Sequence, residues 1–456
     1  MRDVAVVVLI LIGVLWTLRR PWFGVLLWTW VSVMNPHRFC WGFAFDAPMA
    51  AVAAGAALVG LLIAHKRQNP FMGAPTTWML LFACWMSVSW WFGYGMRSSD
   101  PIMWDIDYEL WKQVIKTFLM IFVTLALLRY RQQILAFVAV AVMSLGLLGV
   151  KGGIFTLATL GGNTVWGPPG TFIEDNNDFG LALVTIVPLL VFLLMQTDRA
   201  RKWLRLGIWL TIALSVLAIF GSQSRGGFLA LAAMGVVLWW RSRYKLKLAL
   251  FFVVLAGIAT SLMPDKYWEK IDTIAAYETD DSFQNRVRSW KVAVQVANHH
   301  VTGAGMIYRH PSIFYLWDFS ESKDRGKPIA PHSIYFQILG NHGYVGLFLY
   351  LMIGVSTWLS ASWLRRRARA IPEAKWAADL GSMVQVAMVG FAVGGAALSL
   401  AYVDIPFNMM VMVALARHWV ETKGWKRDPE EGFFKYVLRG GEPKIHRPPA
   451  VAGQGA

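Results

Sequence analysis

The chain has 456 residues, of which 56% are hydrophobic and only 15% are charged. Because soluble domains carry about 25% charged residues, this composition excludes an ordinary soluble globular protein. The formal net charge of +16 could suggest a nucleic-acid-binding protein. However, the lysines and arginines come in short runs beside apolar blocks, without the basic stripes and interleaved aromatic residues of a nucleic-acid interface. We therefore expect membrane lipids, and no nucleic acid, among its partners.

Apolar blocks recur along the chain and are long enough to cross a hydrocarbon core of about 30 Å. They do not alternate with period two, so in lipid they must be helices whose backbone groups are satisfied internally. The sequence thus predicts an all-α polytopic membrane protein with about 12–13 transmembrane helices, the first two being short enough to form a hairpin. The predicted spans are 4–18, 21–34, 47–64, 75–92, 113–128, 133–150, 179–196, 204–220, 227–240, 246–263, 343–364, 378–400 and 405–420.

Basic runs mark alternate connections between the spans, which is the pattern of cytoplasmic loops. The long stretch 264–342 has nearly balanced acids and bases and is predicted to be a large loop on the outer face. Within it, Val287, Trp290, Val294 and Ala297 recur at helical spacing, which indicates an amphipathic helix over 284–298. The predicted organisation is N-terminal helices with short outer loops at 1–263, the large loop at 264–342, C-terminal helices at 343–420, and a basic, disordered cytoplasmic tail at 421–456.

The first candidate for chemistry is Arg225, in the Ser-Gln-Ser-Arg-Gly-Gly turn between two spans. A charge near membrane depth is costly, so such a residue usually faces a cavity and has a partner. The alternative is an arginine that reaches the lipid headgroups and positions the helix.

The second candidate is the pair Arg286 and Arg288, within Gln-Asn-Arg-Val-Arg-Ser-Trp and ahead of a Gly-x-Gly at 303–305. The planar guanidinium group matches the geometry of phosphate, so these side chains could bind an anionic head group. The alternative is a solvated helix face. No strand precedes the Gly-x-Gly, which excludes a dinucleotide-binding fingerprint.

The third candidate is His332, which follows a proline and precedes an apolar helix that includes Tyr335. A neutral imidazole is a natural general base near neutral pH. The alternative is a local hydrogen bond at the helix start. His310 and His342 are rivals in plainer contexts.

The fourth candidate is the polar run after Trp-Gly-Pro-Pro-Gly, with Asp175, Asn176 and Asp178 at the entrance to a span. Capping of the helix N-terminus is the default interpretation of the two carboxylates. Binding of sugar hydroxyls is a further option, and a divalent-metal site would need more converging oxygens. Asp404 is another outward carboxylate between spans.

These motifs occur in an order that resembles the O-antigen ligase and polymerase superfamily of bacterial inner membranes. The order is Ser-Arg-Gly at 224–226, Arg-x-x-x-Trp at 286–290, Gly-x-Gly at 303–305, His-Ser at 332–333 and a trailing Gly-x-x-Gly at 343–346. The N-terminal half resembles the exosortase A-associated O-glycosylation ligases through four further motifs: 19–22 (Arg-Arg-Pro-Trp), 34–38 (Met-Asn-Pro-His-Arg), Lys151-Gly-Gly and 166–170 (Trp-Gly-Pro-Pro-Gly).

The resemblance implies a glycan ligase that takes its donor from undecaprenyl diphosphate on the periplasmic face. The acceptor would be a hydroxyl of lipid A-core sugar, a growing glycan or a protein, and the reaction would need no cofactor and no metal. The implied catalytic residues are Arg225, Arg286 and His332. Arg288 does not align with the motif arginine, and His-His-Val-Thr at 299–302 departs from the usual Pro-Leu-Leu. The candidate substrate-binding residues are Arg288, Lys151, Asp175, Asn176, Asp178, Tyr335 and Asp404.

Two other functions stay open at this stage. A glycan polymerase would share the scaffold and differ in its acceptor. A transporter or lipid flippase would need charged residues at mid-membrane and helices broken in matched halves, and the spans show few such charges.

Overall fold

The computed structural model describes residues 1–93, 101–242, 244–262, 281–321 and 324–429. Within these ranges the chain forms helices and no β-strand, so the predicted all-α fold is confirmed. The helices are α1 (Arg2–Arg19), α2 (Pro21–Met34), α3 (Met49–Ile63), α4 (Ala74–Gly93), α5 (Pro101–Leu127), α6 (Arg131–Ala158), α7 (Asn176–Gln196), α8 (Lys202–Gly221), α9 (Arg225–Arg241), α10 (Lys245–Leu262), α11 (Asp281–His299), α12 (Pro311–Trp317), α13 (Ile334–Arg367), α14 (Lys375–Gly395) and α15 (Asp404–Glu421).

Each predicted span coincides with one of these helices, but fewer helices than predicted qualify as membrane spans. Helices α2 and α3 are apolar but only 14 and 15 residues long, and α1 carries Arg2, Asp3 and Arg19. The chain is a multi-pass membrane protein whose six described helices with sufficient length and apolar character are Trp104–Leu127, Arg131–Ala158, Asn176–Gln196, Lys202–Gly221, Ile334–Ala370 and Pro372–Gly395. Six described helices thus meet this criterion, and the predicted count of about 12–13 stays a prediction.

Two helices form the centre of the bundle. Every side chain from Phe407 to Ala416 in α15 is buried, and α15 packs against α5, α6, α13 and α14. Helix α7 is buried along most of its length between α6, α8, α9 and α14. A helix that is apolar all round belongs inside a membrane bundle, so these two helices support the elements around them.

The helix ends lie on two opposite faces of the bundle. One face, called here the basic face, holds the α5–α6, α7–α8, α9–α10 and α13–α14 connections with their lysines and arginines. The other, called here the site face, holds the segments 159–175, 222–224, 300–333 and 396–403. Hydrogen bonds join segments across the site face, for example from the Val165 backbone N–H to the Gly221 carbonyl (2.9 Å).

An outer segment, residues 281–333 as far as they are described, lies over the site face and has its own small core of Val292, Ala293, Val296, Tyr308 and Phe314 with their neighbours. Helix α11 confirms the predicted amphipathic helix over 284–298. Its buried face differs from the prediction, because the fully buried positions run through Arg288, Ser289, Val292, Ala293, Val296 and Ala297. Trp290 and the other predicted positions at 287 and 294 are only partly buried, since α11 turns a neighbouring stripe toward α13.

The outer segment is fastened to a kink in α13. Gly343 has φ 68° and ψ −171°, which interrupts the helix. Gly303 fits against this kink so closely that a Cβ on it would lie 2.5 Å from the Asn341 carbonyl oxygen. The backbone N–H groups of Ala304 and Gly305 donate to the carbonyls of Gly340 (3.0 Å) and Asn341 (2.8 Å). The kink thus fixes the position of the outer segment on the bundle.

Candidate active site

A cavity of about 260 Å³ opens on the site face between four segments of the chain. Its wall comes from the start of α7, the α8–α9 turn, α11 and the segment just after α14. Two of the three predicted catalytic residues, Arg225 and Arg286, are in that wall although they are 61 residues apart in sequence. The lining residues are Asn176, Asn177, Gln223, Arg225, Gly226, Arg286, Ala397 and Leu398.

The α8–α9 turn places Arg225 at the first position of α9. Helix α8 ends at Gly221, Gln223 has the left-handed φ of 53°, and Ser224 caps α9 by accepting a hydrogen bond from the Gly227 N–H (3.0 Å). A cation at a helix N-terminus opposes the helix dipole, so helix stability does not explain an arginine there. Together, the dipole and the guanidinium make this end of α9 attractive to an anion.

The start of α7 is tied to the same turn. The Asn176 side-chain amide donates to the Ser222 carbonyl (2.7 Å), and Asp175 caps α7 by accepting from the Asn177 N–H (2.8 Å). The capping interpretation is thereby confirmed for Asp175. Asp178 lies partly buried in the first turn of α7. These contacts hold two polar helix starts side by side at the cavity.

Arg286 reaches the cavity from α11, the helix of the outer segment. Its side chain is partly buried. Because Arg225 belongs to the bundle and Arg286 to the outer segment, the two guanidinium groups approach the cavity from different parts of the fold. Two such groups around a concave site can neutralise a diphosphate, whose oxygens match the guanidinium fork.

His332 lies beside the cavity, outside its lining, just before α13. Its backbone has φ 43°, an uncommon conformation for a residue with a side chain. Its N–H donates to the Ser399 hydroxyl (3.0 Å), and the carbonyl of Pro331 accepts from the Trp290 indole N–H (2.7 Å). Trp290 in turn stacks on Phe336 with ring centroids 4.8 Å apart. The strained position is thus held from α11, from α13 and from the segment after α14.

The surroundings of His332 favour its neutral form. Burial lowers the pKa of the imidazole, and the positive charges of Arg286 and Arg309 lower it further, while the Asp175 carboxylate opposes them. These influences also show that His332 shares one electrostatic environment with Arg286 and Asp175. An imidazole that is neutral at neutral pH can accept a proton.

Arg288, two residues from Arg286, is engaged elsewhere. Its Nε donates to Asp318 Oδ2 (2.8 Å), and a second guanidinium nitrogen is 2.6 Å from the same oxygen. It also donates to the Asp324 carbonyl. Burial alone would raise the pKa of Asp318, but hydrogen bonds from Arg288, Ser320 and Gly326 outweigh burial and lower it to about 2. The substrate-binding role of Arg288 stays a prediction, and this geometry gives it a structural role.

Three further predicted binding residues lie outside the cavity lining. Lys151 is exposed on α6, with its ammonium 4.2 Å from the centre of the Phe39 ring. The Tyr335 hydroxyl donates to the Ala392 carbonyl (2.9 Å). Asp404, at the start of α15, accepts a hydrogen bond from the Ser32 hydroxyl (2.6 Å). Their roles in binding stay predictions.

The rival histidines have structural contacts. His342 is fully buried, with Nδ1 2.8 Å from the Ser89 hydroxyl and Nε2 2.8 Å from the Tyr402 hydroxyl. It therefore joins α4, α13 and the segment before α15. His310 caps the short helix α12. Neither lines the cavity.

Several wall residues were missed by the sequence interpretation. Gln223, Gly226 and Asn177 lay within recognised motifs but were not selected as site residues. Ala397 and Leu398 lay in an apolar stretch predicted to be part of a span, and Ser399 gave no signal of its bond to His332. Only the packing of α14 on α9 shows that the residues after α14 reach the cavity.

Comparison with known families divides the chain into two matched regions. Residues 1–198 match a family of unknown function (DUF5935), and residues 210–351 match the O-antigen ligase family. A search of curated proteins finds no match. The O-antigen ligase region contains Arg225, Arg286 and His332, and the match supports a membrane enzyme of the O-antigen ligase or polymerase type, similar to glycosyltransferases. The exosortase-associated branch stays a prediction. The resemblance to the O-antigen ligase superfamily that the sequence predicts is thereby confirmed for residues 210–351.

Proposed function

We propose that this protein is an inner-membrane glycan ligase that transfers a glycan from undecaprenyl diphosphate to an acceptor hydroxyl on the periplasmic face. The acceptor is a lipid A-core sugar or a protein side chain. The site face is then the periplasmic face, since the basic runs belong in the cytoplasm. The large periplasmic loop is the predicted region 264–342, which carries Arg286 and His332.

The observation that carries this proposal is the joint presence of Arg225 and Arg286 in one cavity beside the N-terminus of α9. As the bond between the anomeric carbon and the diphosphate oxygen breaks, its electron pair stays on the diphosphate. Cations fixed around that oxygen lower the barrier because they stabilise the charge that develops in the transition state. The reaction then needs no metal, since the two guanidinium groups provide the positive charge.

In this mechanism, His332 acts as the general base. The acceptor hydroxyl attacks the anomeric carbon and its proton passes to the neutral imidazole. A single direct displacement inverts the configuration at that carbon. The amide groups of three lining residues would bind sugar hydroxyls near the reacting bond, namely those of Asn176, Asn177 and Gln223.

The test is transfer by the purified full chain in proteoliposomes that contain undecaprenyl-diphosphate-linked glycan. Lipid A-core, free glycan and a protein acceptor are supplied separately, with EDTA present throughout. We expect transfer to one of these acceptors, inversion at the anomeric carbon, and loss of transfer in His332→Ala by about 100-fold or more.

Matched controls separate the catalytic role from general damage. His299→Ala changes an exposed histidine at the end of α11 and should transfer at the wild-type rate. Wild-type rates in His332→Ala at equal protein level would end the general-base assignment. Loss of activity in EDTA that is restored by a divalent cation would contradict the metal-independent mechanism.

The same assay decides between the ligase and a polymerase. A ladder of lengthening products from lipid-linked glycan alone would identify the protein as a polymerase on this scaffold. Binding of the lipid-linked glycan without transfer to any acceptor would favour a flippase or a carrier-binding protein and would overturn the proposal.

A further inference from the structure

A second cavity, of about 140 Å³, lies on the basic face, at the opposite end of the bundle from the candidate active site. Its wall comes from the segment after α3, the α5–α6 connection and the end of α15 with the residues that follow. The lining residues are Lys66, Gln68, Arg129, Tyr130, His418 and Arg427. This cavity, called here the basic pocket, has no part in the proposed transfer reaction.

One wall of the basic pocket is fixed by Gln68. Its side-chain amide donates to the Leu125 carbonyl (2.8 Å) and also to the Leu128 carbonyl. Its backbone N–H donates to the Ala126 carbonyl (3.0 Å). These contacts satisfy carbonyls at the C-terminal end of α5, where no intrahelical donor exists. The segment that bears Lys66 is therefore held against α5.

The opposite wall is the segment after α15, folded back onto the start of α6. The Asp428 carboxylate accepts from the Arg131 N–H (3.1 Å) and the Trp419 indole N–H (3.1 Å). The Gln132 side chain donates to the Pro429 carbonyl (3.0 Å). Residues up to 429 of the predicted disordered tail are thus folded, and they bring Arg427 to the pocket. The rest of the tail, 430–456, lies outside the described residues.

The lining is rich in positive charge. Lys66, Arg129 and Arg427 are cations, His418 can become one, and none of the described lining residues is a carboxylate. Two described acidic residues of the same segment have other partners: Asp428 accepts from Arg131 and Trp419, and Glu421 pairs with Arg417 at 2.7 Å. The positive charge of these lining residues attracts an anion.

We propose that the basic pocket binds the phosphate of an anionic phospholipid headgroup from the adjacent leaflet. The pocket lies at the ends of the spanning helices α5 and α6, at the level where headgroups lie. Basic pockets between transmembrane helices on this side of a membrane are suited to anionic lipids. The guanidinium groups of Arg129 and Arg427 can donate to phosphate oxygens, and Lys66 adds a point charge.

Such a lipid would join separate parts of the chain. Lys66 and Arg129 belong to the region that matches the family of unknown function, 1–198, whereas His418 and Arg427 lie after both matched regions. A bound headgroup would therefore bridge the N-terminal helices to α15, the central helix of the bundle. We expect anionic lipid to raise the temperature at which the whole protein unfolds.

The test is a titration of the full chain, purified in neutral detergent, with short-chain phosphatidylglycerol, phosphatidylcholine or inorganic phosphate. The readout is the midpoint of thermal unfolding. Phosphatidylglycerol should raise the midpoint, and phosphatidylcholine should not. The triple variant Lys66→Gln/Arg129→Gln/Arg427→Gln should need at least about ten times as much phosphatidylglycerol for the same increase in the unfolding midpoint.

The matched control removes the same charge from the same face. Arg366→Gln/Arg367→Gln/Arg369→Gln changes three exposed arginines outside the pocket and should bind phosphatidylglycerol within about twofold of wild type. An equal loss in both triple variants would overturn the proposal in favour of general attraction to the surface. Protection by inorganic phosphate alone, lost in the pocket variant, would assign the pocket to a free anion instead.

A charge-preserving variant distinguishes loss of lipid binding from loss of folding. Arg427 also donates to Thr422, so its replacement could loosen the segment after α15. Lys66→Arg/Arg129→Lys/Arg427→Lys keeps the charge, and under the proposal it retains most of the affinity for phosphatidylglycerol. If this variant folds with a wild-type midpoint and yet binds no phosphatidylglycerol, the headgroup site is refuted.

Discussion

Two regions at the start of α11 use arginine in opposite ways, although only one residue separates the two side chains in sequence. Arg286 lies in the wall of the cavity, together with Arg225 and the polar start of α7. Arg288 lies in a buried cluster with Asp318, where the two side chains are 7% and 1% exposed. The first arrangement places a guanidinium group in the wall of a cavity, and the second places one in a buried ion pair.

The difference follows from helical geometry. Residues two apart on an α-helix point in different directions, about 200° apart, so α11 can present one arginine to the cavity and bury the other against Asp318 and Asp324. A buried ion pair fixes the shape of the outer segment, whereas a guanidinium group in a cavity wall can contact an anion that enters the cavity. The contrast predicts that variants of Arg288 lose stability and that variants of Arg286 lose activity.

The largest effect is expected for Arg288→Ala. Removal of the arginine leaves Asp318 buried without its main partner, which should cost about 3–5 kcal/mol of unfolding free energy. The measurement is thermal or denaturant unfolding of the purified protein in detergent, with the exposed Lys291→Ala on the same helix as control. Equal stability of Arg288→Ala and Lys291→Ala would contradict the structural role.

The Arg288 cluster also makes a prediction about pH. The folded pKa of Asp318 is about 2, below its ordinary value of 3.8. Its contribution to stability is therefore fully present above pH 3.8 and is lost as the pH falls toward 2. The unfolding free energy should fall less between pH 3.8 and pH 2 in Asp318→Asn than in the wild type, because the amide has no carboxyl group to protonate.

The next effect is expected for Arg286→Ala, in catalysis rather than in stability. Loss of one group that stabilises transition-state charge should lower the transfer rate by about 100- to 1000-fold. The unfolding midpoint should fall less than in Arg288→Ala, because Arg286 is only partly buried in the cavity wall whereas Arg288 is buried. A variant that loses stability and activity in parallel would show that Arg286 acts like Arg288, and the comparison would fail.

A smaller effect is expected from the titration of His332. Its pKa lies below the ordinary value of 6.5, so the neutral base is present at pH 7 and kcat/KM should fall only at more acidic pH. Below that pKa the fall should be about tenfold per pH unit. Arg309→Gln should move this limb to higher pH, because Arg309 lowers the pKa of His332. An acid limb that does not move in Arg309→Gln would count against His332 as the titrating group.

The smallest effect is expected for Ser224→Ala, which removes the cap of α9. The loss of the hydrogen bond from Gly227 should cost about 1 kcal/mol of stability. Because the cap also sets where Arg225 begins α9, transfer should fall modestly as well. Ser224→Asn retains a capping oxygen and should recover most of the stability and most of the transfer rate. If stability returns and the transfer rate does not, the cap has no role in the reaction.

The helices were largely predictable because apolar blocks leave a strong local signal. All thirteen predicted spans fall on helices, and α11 was predicted from its spacing. The lengths of the apolar helices were less predictable. The block pattern does not separate the short helices α2 and α3 from full spans. The buried face of α11 also differed from the predicted one, because it depends on the position of α13.

The candidate site was predictable where its residues are chemically distinctive. Arg225 and Arg286 were expected in one site and do share a cavity. The pairing of Arg288 with Asp318, 30 residues away, could not be foreseen, since it depends on how the outer segment folds back on itself. Ala397 and Leu398 resemble any apolar residues in a span, and only packing reveals that they complete the wall.

The kink at Gly343 has a consequence for the depth at which His332 sits. Helix α13 has 34 residues, which corresponds to about 51 Å, and a hydrocarbon core of about 30 Å cannot enclose that length upright. The part after Gly343 is about 36 Å long and is sufficient on its own to cross. Under the proposed function, the first turns of α13, with His332 ahead of them, lie above the hydrocarbon, at the height where a lipid carrier would present its diphosphate.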